Sequence, residues 1–275
     1  MIKRILVGLG GTAFTSSKIR HAVELATRHG AAITGVTIFD ADRIADVGPI
    51  PVGAGTAAHE LREHRARLAN QHIEESIERF KLACTDAGIR HHVILETGDV
   101  FEELISLWRY HDVTILGLRA LGEENLFNQP HDYLLRLIAR GVRPLIGVAR
   151  EYRPIRRVLV AYNGSMESAK AMKQFAQLNL WQDVSILVVY FGDTPGEAKP
   201  RLHAAKEYFL AHGFDAEMRH IDGSIEEGLD SAVQEWSADM VVLGSTHRSR
   251  FTRLVFGDAA NHLVHHASIP LFMSQ

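Results

Sequence analysis

A single cysteine, Cys84, is all the chain contains, which excludes an intrachain disulfide and points to a reducing compartment. No apolar run approaches the roughly 20 residues a helix needs to span a bilayer, so no membrane is expected as a partner. Charge of one sign is also missing: 30 Lys and Arg against 33 Asp and Glu leave a net −3 with histidine neutral. That balance lacks the basic field that draws a protein to nucleic acid or anionic lipid. Nothing separates Met1 from the strand-like run Ile2–Gly8, which leaves no room for a signal peptide and predicts a cytoplasmic chain. Eight prolines in 275 residues, with 46% apolar residues, exclude a collagenous or disordered chain. Histidine is abundant instead, at 16 residues, so the net charge climbs as pH falls through about 6.5.

The length suits two domains of about 100–150 residues, and the sequence repeats accordingly. Ile2-Lys3-Arg4-Ile5-Leu6-Val7-Gly8 has its counterpart in Ile155-Arg156-Arg157-Val158-Leu159-Val160-Ala161, and each run leads to a turn, Gly11-Thr12 or Gly164-Ser165. Val113–Gly117 matches Met240–Gly244, and Arg143-Pro144-Leu145-Ile146 matches Ile269-Pro270-Leu271-Phe272. The offset drops from 153 to about 126, which places some 27 extra residues in the first half, between Asp40 and Ala66. The expected domains are 1–150, with an insertion at 41–66, and 154–275, joined near Pro154.

Each half alternates short apolar runs with amphipathic ones. Strands are predicted at 2–8, 33–39, 91–96, 113–117 and 144–149, then at 155–161, 183–190, 215–221, 239–244 and 269–273. Helices are predicted at 16–29, 60–87, 165–178, 199–212 and 224–236. Such alternation makes βαβ units, so the fold class is α/β: two repeated, open-twisted, five-stranded parallel sheets flanked by helices, a Rossmann-like architecture. Asp99 and Ser224 each stand three residues before a Glu, the spacing of a capping box, at equivalent places in the repeat. The segment from Ile44 to Thr56, rich in Gly and Pro, reads as a loop.

In an open parallel sheet, ligands bind beyond the carboxyl ends of the strands where the strand order reverses. In the second half that selects the turn after the first strand, Ala161-Tyr162-Asn163-Gly164-Ser165, and the loop after the fourth, from Gly244 to Asp258. Glycines there let the backbone approach a phosphate, hydroxyls and N–H groups can cradle the anion, and Arg248, Arg250 and Arg253 supply opposite charge.

This loop resembles that of the universal stress protein family, in which Gly, two residues, Gly, nine residues, then Gly-Ser or Gly-Thr hold the phosphates and ribose of ATP. Here the same spacing reads Gly244, His247, Gly257 and Asp258. The likeness extends to Val158–Ser165, with Asn163 where the family has Asp, and to His262–Leu271. The chain as a whole is similar to a tandem universal stress protein. The resemblance implies a non-catalytic stress-response factor whose second domain binds ATP with Mg, or another adenine nucleotide. Its contacts would be Ala161, Tyr162, Asn163, Val189, Leu243, Gly244, Thr246, His247, Arg248, Gly257, Asp258 and Ala259. It also implies that the two domains pair through their last strands, 144–149 and 269–273, as separate subunits do, with a homodimer as a further option.

Two departures bear on affinity. Asp258 at a helix start occupies the N–H groups that a phosphate would use and repels it, and His247 crowds a glycine position. The first half departs further. Gly10 replaces the Asp, His131-Asp132 replace Gly-Ser, and Glu123 and Glu124 are poor company for a triphosphate, so this half is expected to serve its twin by packing. Alternatives of other classes are a slow ATP hydrolase or nucleotidyl-transfer relative, and a pure interaction protein that has lost its ligand. No Ser-His-Asp or paired-carboxylate spacing supports catalysis, so no catalytic residue is assigned. Gly8-Leu9-Gly10-Gly11-Thr12-Ala13, with Asp40 beyond it, has the form of a dinucleotide fingerprint but reads as an ordinary strand–helix turn. His262, His265 and His266, the pair His91-His92, and the spaced His59, His64 and His72 read as solvated helix or strand positions rather than metal ligands, and Cys84 reads as packing.

Overall fold

The computed structural model describes residues 1–39, 54–118, 137, 140, 144–244 and 268–274. The first half comprises β1 (Arg4–Gly8), α1 (Thr15–His29), β2 (Ala32–Phe39), α2 (Gly55–Asp86), β3 (His91–Thr97), α3 (Val100–Trp108), β4 (Val113–Gly117) and β5 (Leu145–Val148). The second comprises β6 (Arg157–Ala161), α4 (Met166–Leu178), β7 (Ser185–Phe191), α5 (Pro195–Ala211), β8 (Ala216–Ile221), α6 (Ile225–Trp236), β9 (Met240–Gly244) and β10 (Leu271–Ser274).

The two five-stranded sheets are halves of one. The strand order is β3-β2-β1-β4-β5-β10-β9-β6-β7-β8, so the order of the first half recurs, reversed in direction, in the second. Every pairing inside a half is parallel. The halves meet where β5 and β10 pair antiparallel, with Phe272 opposite Ile146, so the last strands do form the join. Central strands such as β4 and β9 are apolar along almost their whole length because helices cover both faces of a parallel sheet.

One face packs α1, α2, α4 and α5 onto a core that runs from Ile19 and Phe80 through Phe272 to Phe175 and Phe209. The other face packs α3 and α6, through Trp108, Leu104, Leu229 and Ala232. Side chains also tie the halves together. A ring nitrogen of His29 lies 3.0 Å from the Leu180 carbonyl, and Tyr152, in the connector between the halves, donates to Glu24 at 3.1 Å with Arg20 stacked 4.0 Å over its ring.

Two boundaries differ from the sequence reading. Helix α2 begins at Gly55 rather than 60, so it takes in the last two residues of the segment 44–56 read as loop. Neither Gly55 nor the weak capping at Ala54 signals a helix start, so the periodic pattern is recognisable only further along. Helix α5 starts at Pro195 rather than near 199 and carries Pro200 inside it. Pro195 sits in the first turn, where its missing N–H costs nothing, whereas Pro200 forgoes the bond to the Gly196 carbonyl.

Candidate functional site

The strand order reverses between β1 and β4 in the first half and between β6 and β9 in the second. Each reversal opens a crevice at the carboxyl ends of those strands, and the turn after β1 or β6 forms its floor. The two turns begin alike: Leu9 N donates to the Val36 carbonyl at 2.7 Å, and Tyr162 N donates to the Val189 carbonyl at 2.9 Å. Both then pass through a left-handed glycine, Gly11 at φ 67° and Gly164 at φ 79°.

What covers those glycines separates the halves. A Cβ on Gly11 would lie 2.7 Å from the backbone carbonyl carbon and oxygen of His72, so the main chain of α2 rests directly on the first turn. A Cβ on Gly164 would lie 2.7 Å from Cδ and 2.9 Å from Nε of Arg201, which is a side chain reaching over from α5. A helix backbone held in place by Phe80 and Cys84 beneath it cannot step aside. A long side chain with several rotatable bonds can.

The second turn is built by its own polar groups. Asn163 Oδ1 accepts from Ser165 N at 3.0 Å and from Ser168 Oγ at 2.9 Å. Because Ser165 N–H can only donate, the atom facing it is the amide oxygen, and the amide nitrogen of Asn163 points away from the turn. Ser165 caps α4, its Oγ accepting from Ser168 N at 3.2 Å. Two N–H groups that could have met an anion, Ser165 and Ser168, are therefore already satisfied, and Glu167 adds negative charge in the same turn. Gly244, at the end of β9, abuts this helix start so closely that a Cβ would collide with the Glu167 carbonyl carbon and Ser168 N.

Arg201 holds the other rim. Its Nη1 donates to the Asn163 carbonyl at 3.0 Å and to Tyr190 Oη at 3.1 Å, and its Nη2 pairs with Glu197 at 2.9 Å. The Tyr190 ring lies under the guanidinium, with 5.8 Å from Cζ to the ring centroid. Arg201 and Tyr190 were not among the residues expected from sequence. The available signal was the i, i+4 spacing of Glu197 and Arg201, which ordinarily marks a surface pair.

Of the expected contacts, Ala161, Tyr162, Asn163, Val189, Leu243 and Gly244 converge at the carboxyl ends of β6, β7 and β9. Ala161, Val189 and Leu243 are buried there in the core beside α6, so they shape the floor and offer no exposed side chain. Thr246, His247, Arg248, Gly257, Asp258 and Ala259 lie outside the described residues, as do Asp40, Glu123, Glu124, His131, Asp132 and the histidines at 262, 265 and 266. Among the described residues, no three His, Cys, Asp or Glu side chains converge as a metal ion requires. No helix among them is long and apolar enough to cross a membrane. In the described part of the crevice the Arg201 side chain covers the turn and the start of α4 is already capped by Ser165.

Comparison with known proteins adds a family to this geometry. The model of the universal stress protein family matches residues 1–126 and 195–274. A universal stress protein of Synechocystis is 27% identical over 285 aligned positions, covering 98% of this chain and 99% of its own. The crystal structure of a universal stress protein from Archaeoglobus fulgidus aligns with 99% of this chain and 98% of its own, at a TM-score of 0.67 and 13% identity, which bears on the fold alone. A universal stress protein solved in complex with cAMP is 19% identical and covers 45% of this chain, at a TM-score of 0.39.

Proposed function

The chain belongs to the universal stress protein family, and from that premise we propose that it is a non-catalytic stress-response factor binding an adenine nucleotide in the crevice between β6 and β9. One observation supports the choice of half: Gly11 lies under the backbone of His72, whereas Gly164 lies under a side chain, that of Arg201. The first half then serves as a structural twin, domain 1–150 supporting domain 154–275 through the β5–β10 join. In this reading the phosphates, with Mg, run toward residues 245–258, where Arg248, Arg250 and Arg253 provide charge, and the working compartment is the cytoplasm.

A second reading, an interaction protein without a ligand, draws on the same site. Asn163 and Ser165 satisfy N–H groups at the start of α4, and that self-sufficiency needs no anion. Mass spectrometry of small molecules released from freshly purified, denatured protein separates the two, together with calorimetric titration by Mg-ATP. The expected result is an adenine nucleotide at no more than one per chain. A chain that releases no nucleotide and gives no binding heat is the interaction protein instead. Phosphate released over hours from added ATP would make it a hydrolase.

A further inference from the structure

The two repeats start their first helices differently. At α4, Ser165 caps Ser168 N and Glu167 stands in the first turn. At α1 the residue before the helix, Phe14, makes no side-chain cap, and the first turn, Thr15-Ser16-Ser17-Lys18, holds no acidic residue. Thr12 accepts from Phe14 N at 3.3 Å through Oγ1 and from Thr15 N at 3.0 Å through its carbonyl, while the Phe14 carbonyl accepts from Lys18 N at 3.0 Å. Among the described residues, no acceptor remains for Ser16 N or Ser17 N. They stand bare at the end of a 15-residue helix, where the aligned peptide dipoles place partial positive charge.

An uncapped helix end by itself only meets water. The hydroxyls beside this one do not. Thr15 is 3% exposed and Ser17 1%, and neither Thr15 Oγ1 nor Ser17 Oγ has a hydrogen-bond partner. Folded proteins seldom leave a hydroxyl out of water and unpaired. Cα–Cβ bonds tilt toward the N-terminus of their helix, so both hydroxyls lean to the end where the two N–H groups are bare. Two main-chain donors and two hydroxyl donors at a positive helix end match the lone pairs of a tetrahedral oxyanion. The one ionisable side chain in the turn is a cation, Lys18, itself 2% exposed. Ala13 and Ser16 are exposed, so an ion reaches the helix end from solvent. Just upstream, the main chain of His72 rests on Gly11, which denies the same place to anything as long as a nucleotide.

We propose that the start of α1 binds a free tetrahedral oxyanion of the size of phosphate or sulfate, held by Ser16 N, Ser17 N, Thr15 Oγ1 and Ser17 Oγ. This site lies in the first half, apart from the crevice between β6 and β9, and does not depend on the nucleotide reading.

The test is calorimetric titration of the full chain with inorganic phosphate, at an ionic strength held constant with sodium chloride. Ser16→Asp keeps both buried hydroxyls and puts a carboxylate at the mouth of the site. Since an acid in a first helical turn favours the helix, its unfolding midpoint should be at or above that of the wild type. Thr15→Val combined with Ser17→Ala removes the two hydroxyls. Phosphate should bind the wild type, with sulfate competing, and each variant should bind it at least tenfold more weakly. A wild-type chain that binds no phosphate overturns the proposal, as does undiminished affinity in folded Ser16→Asp or in the folded double variant. Phenyl phosphate carries the same group on a ring. Binding as tight as that of phosphate, and as sensitive to Ser16→Asp, would overturn the assignment to a free ion.

Discussion

Among single residues, His21 carries the clearest physical consequence. It is fully buried on α1 with neither ring nitrogen hydrogen-bonded, and its ring lies 4.7 Å from that of Tyr152. Burial, aided by the charge of Arg20, pushes its pKa down from 6.5 to about 4. The unfolded chain therefore takes up a proton below pH 6.5 that the folded chain refuses until about pH 4, and stability falls as pH drops through that window. His111 adds to the same trend. Burial lowers its pKa too, while its ring contacts the Leu107 carbonyl at 2.7 Å and Thr34 Oγ1 at 2.8 Å. Urea unfolding at pH 7.5 and pH 5 should show His21→Leu losing about 2 kcal/mol less than the wild type between the two. Parallel losses in both proteins would remove His21 as a cause. The same scale shows where sequence reading of the site stops. Asn163 was legible from its turn, but the direction of its amide follows from Ser165 N and Ser168 Oγ, contacts that close only in the folded turn.

Individual elements were more legible, and their caps show why. The sequence places Asp99 and Ser224 in equivalent capping positions, and helices do start at Val100 and Ile225. Only Asp99 makes the cap, its Oδ1 accepting from Phe101 N at 2.9 Å and Glu102 N at 3.0 Å. Ser224 has the extended backbone of a cap but no side-chain bond to its helix. Asp99→Ala should then cost about 1 kcal/mol, and Ser224→Ala clearly less, by thermal or urea unfolding of the two variants. Equal costs would mean that the Ser224 hydroxyl caps α6 in solution. Strand positions followed from apolar runs because period and burial are written locally, as in Met240–Gly244. The start of α2 and the cover over Gly11 were hidden because His72 reaches that turn from about sixty residues away, by the path of a helix axis that no local pattern encodes.

For the whole molecule, the decisive contact is the antiparallel join of β5 and β10, in which Gly147 pairs with Leu271 at one end of the ladder. A Cβ there would meet Leu118 Cδ2 at 2.5 Å and Met273 Cε at 3.2 Å, the second belonging to the other half. Gly147→Val should destabilise the chain by about 1–3 kcal/mol through overpacking, read as a lower urea midpoint. Since the core beneath is continuous from Phe80 to Phe209, fluorescence and circular dichroism should still report one shared transition. Separate transitions would mean that the halves unfold independently. Joining the halves through their last strands has one more effect. Among the described residues it leaves β3 and β8 as the two outer strands of the sheet. Those rims bear His91, His92 and Glu96 on one side and Glu217, Arg219 and His220 on the other, while the nearly uninterrupted apolar strands lie inside. Polar and charged side chains on an outer strand disfavour addition of a further strand, so the arrangement that fuses two twins also blunts the two ends of the ten described strands.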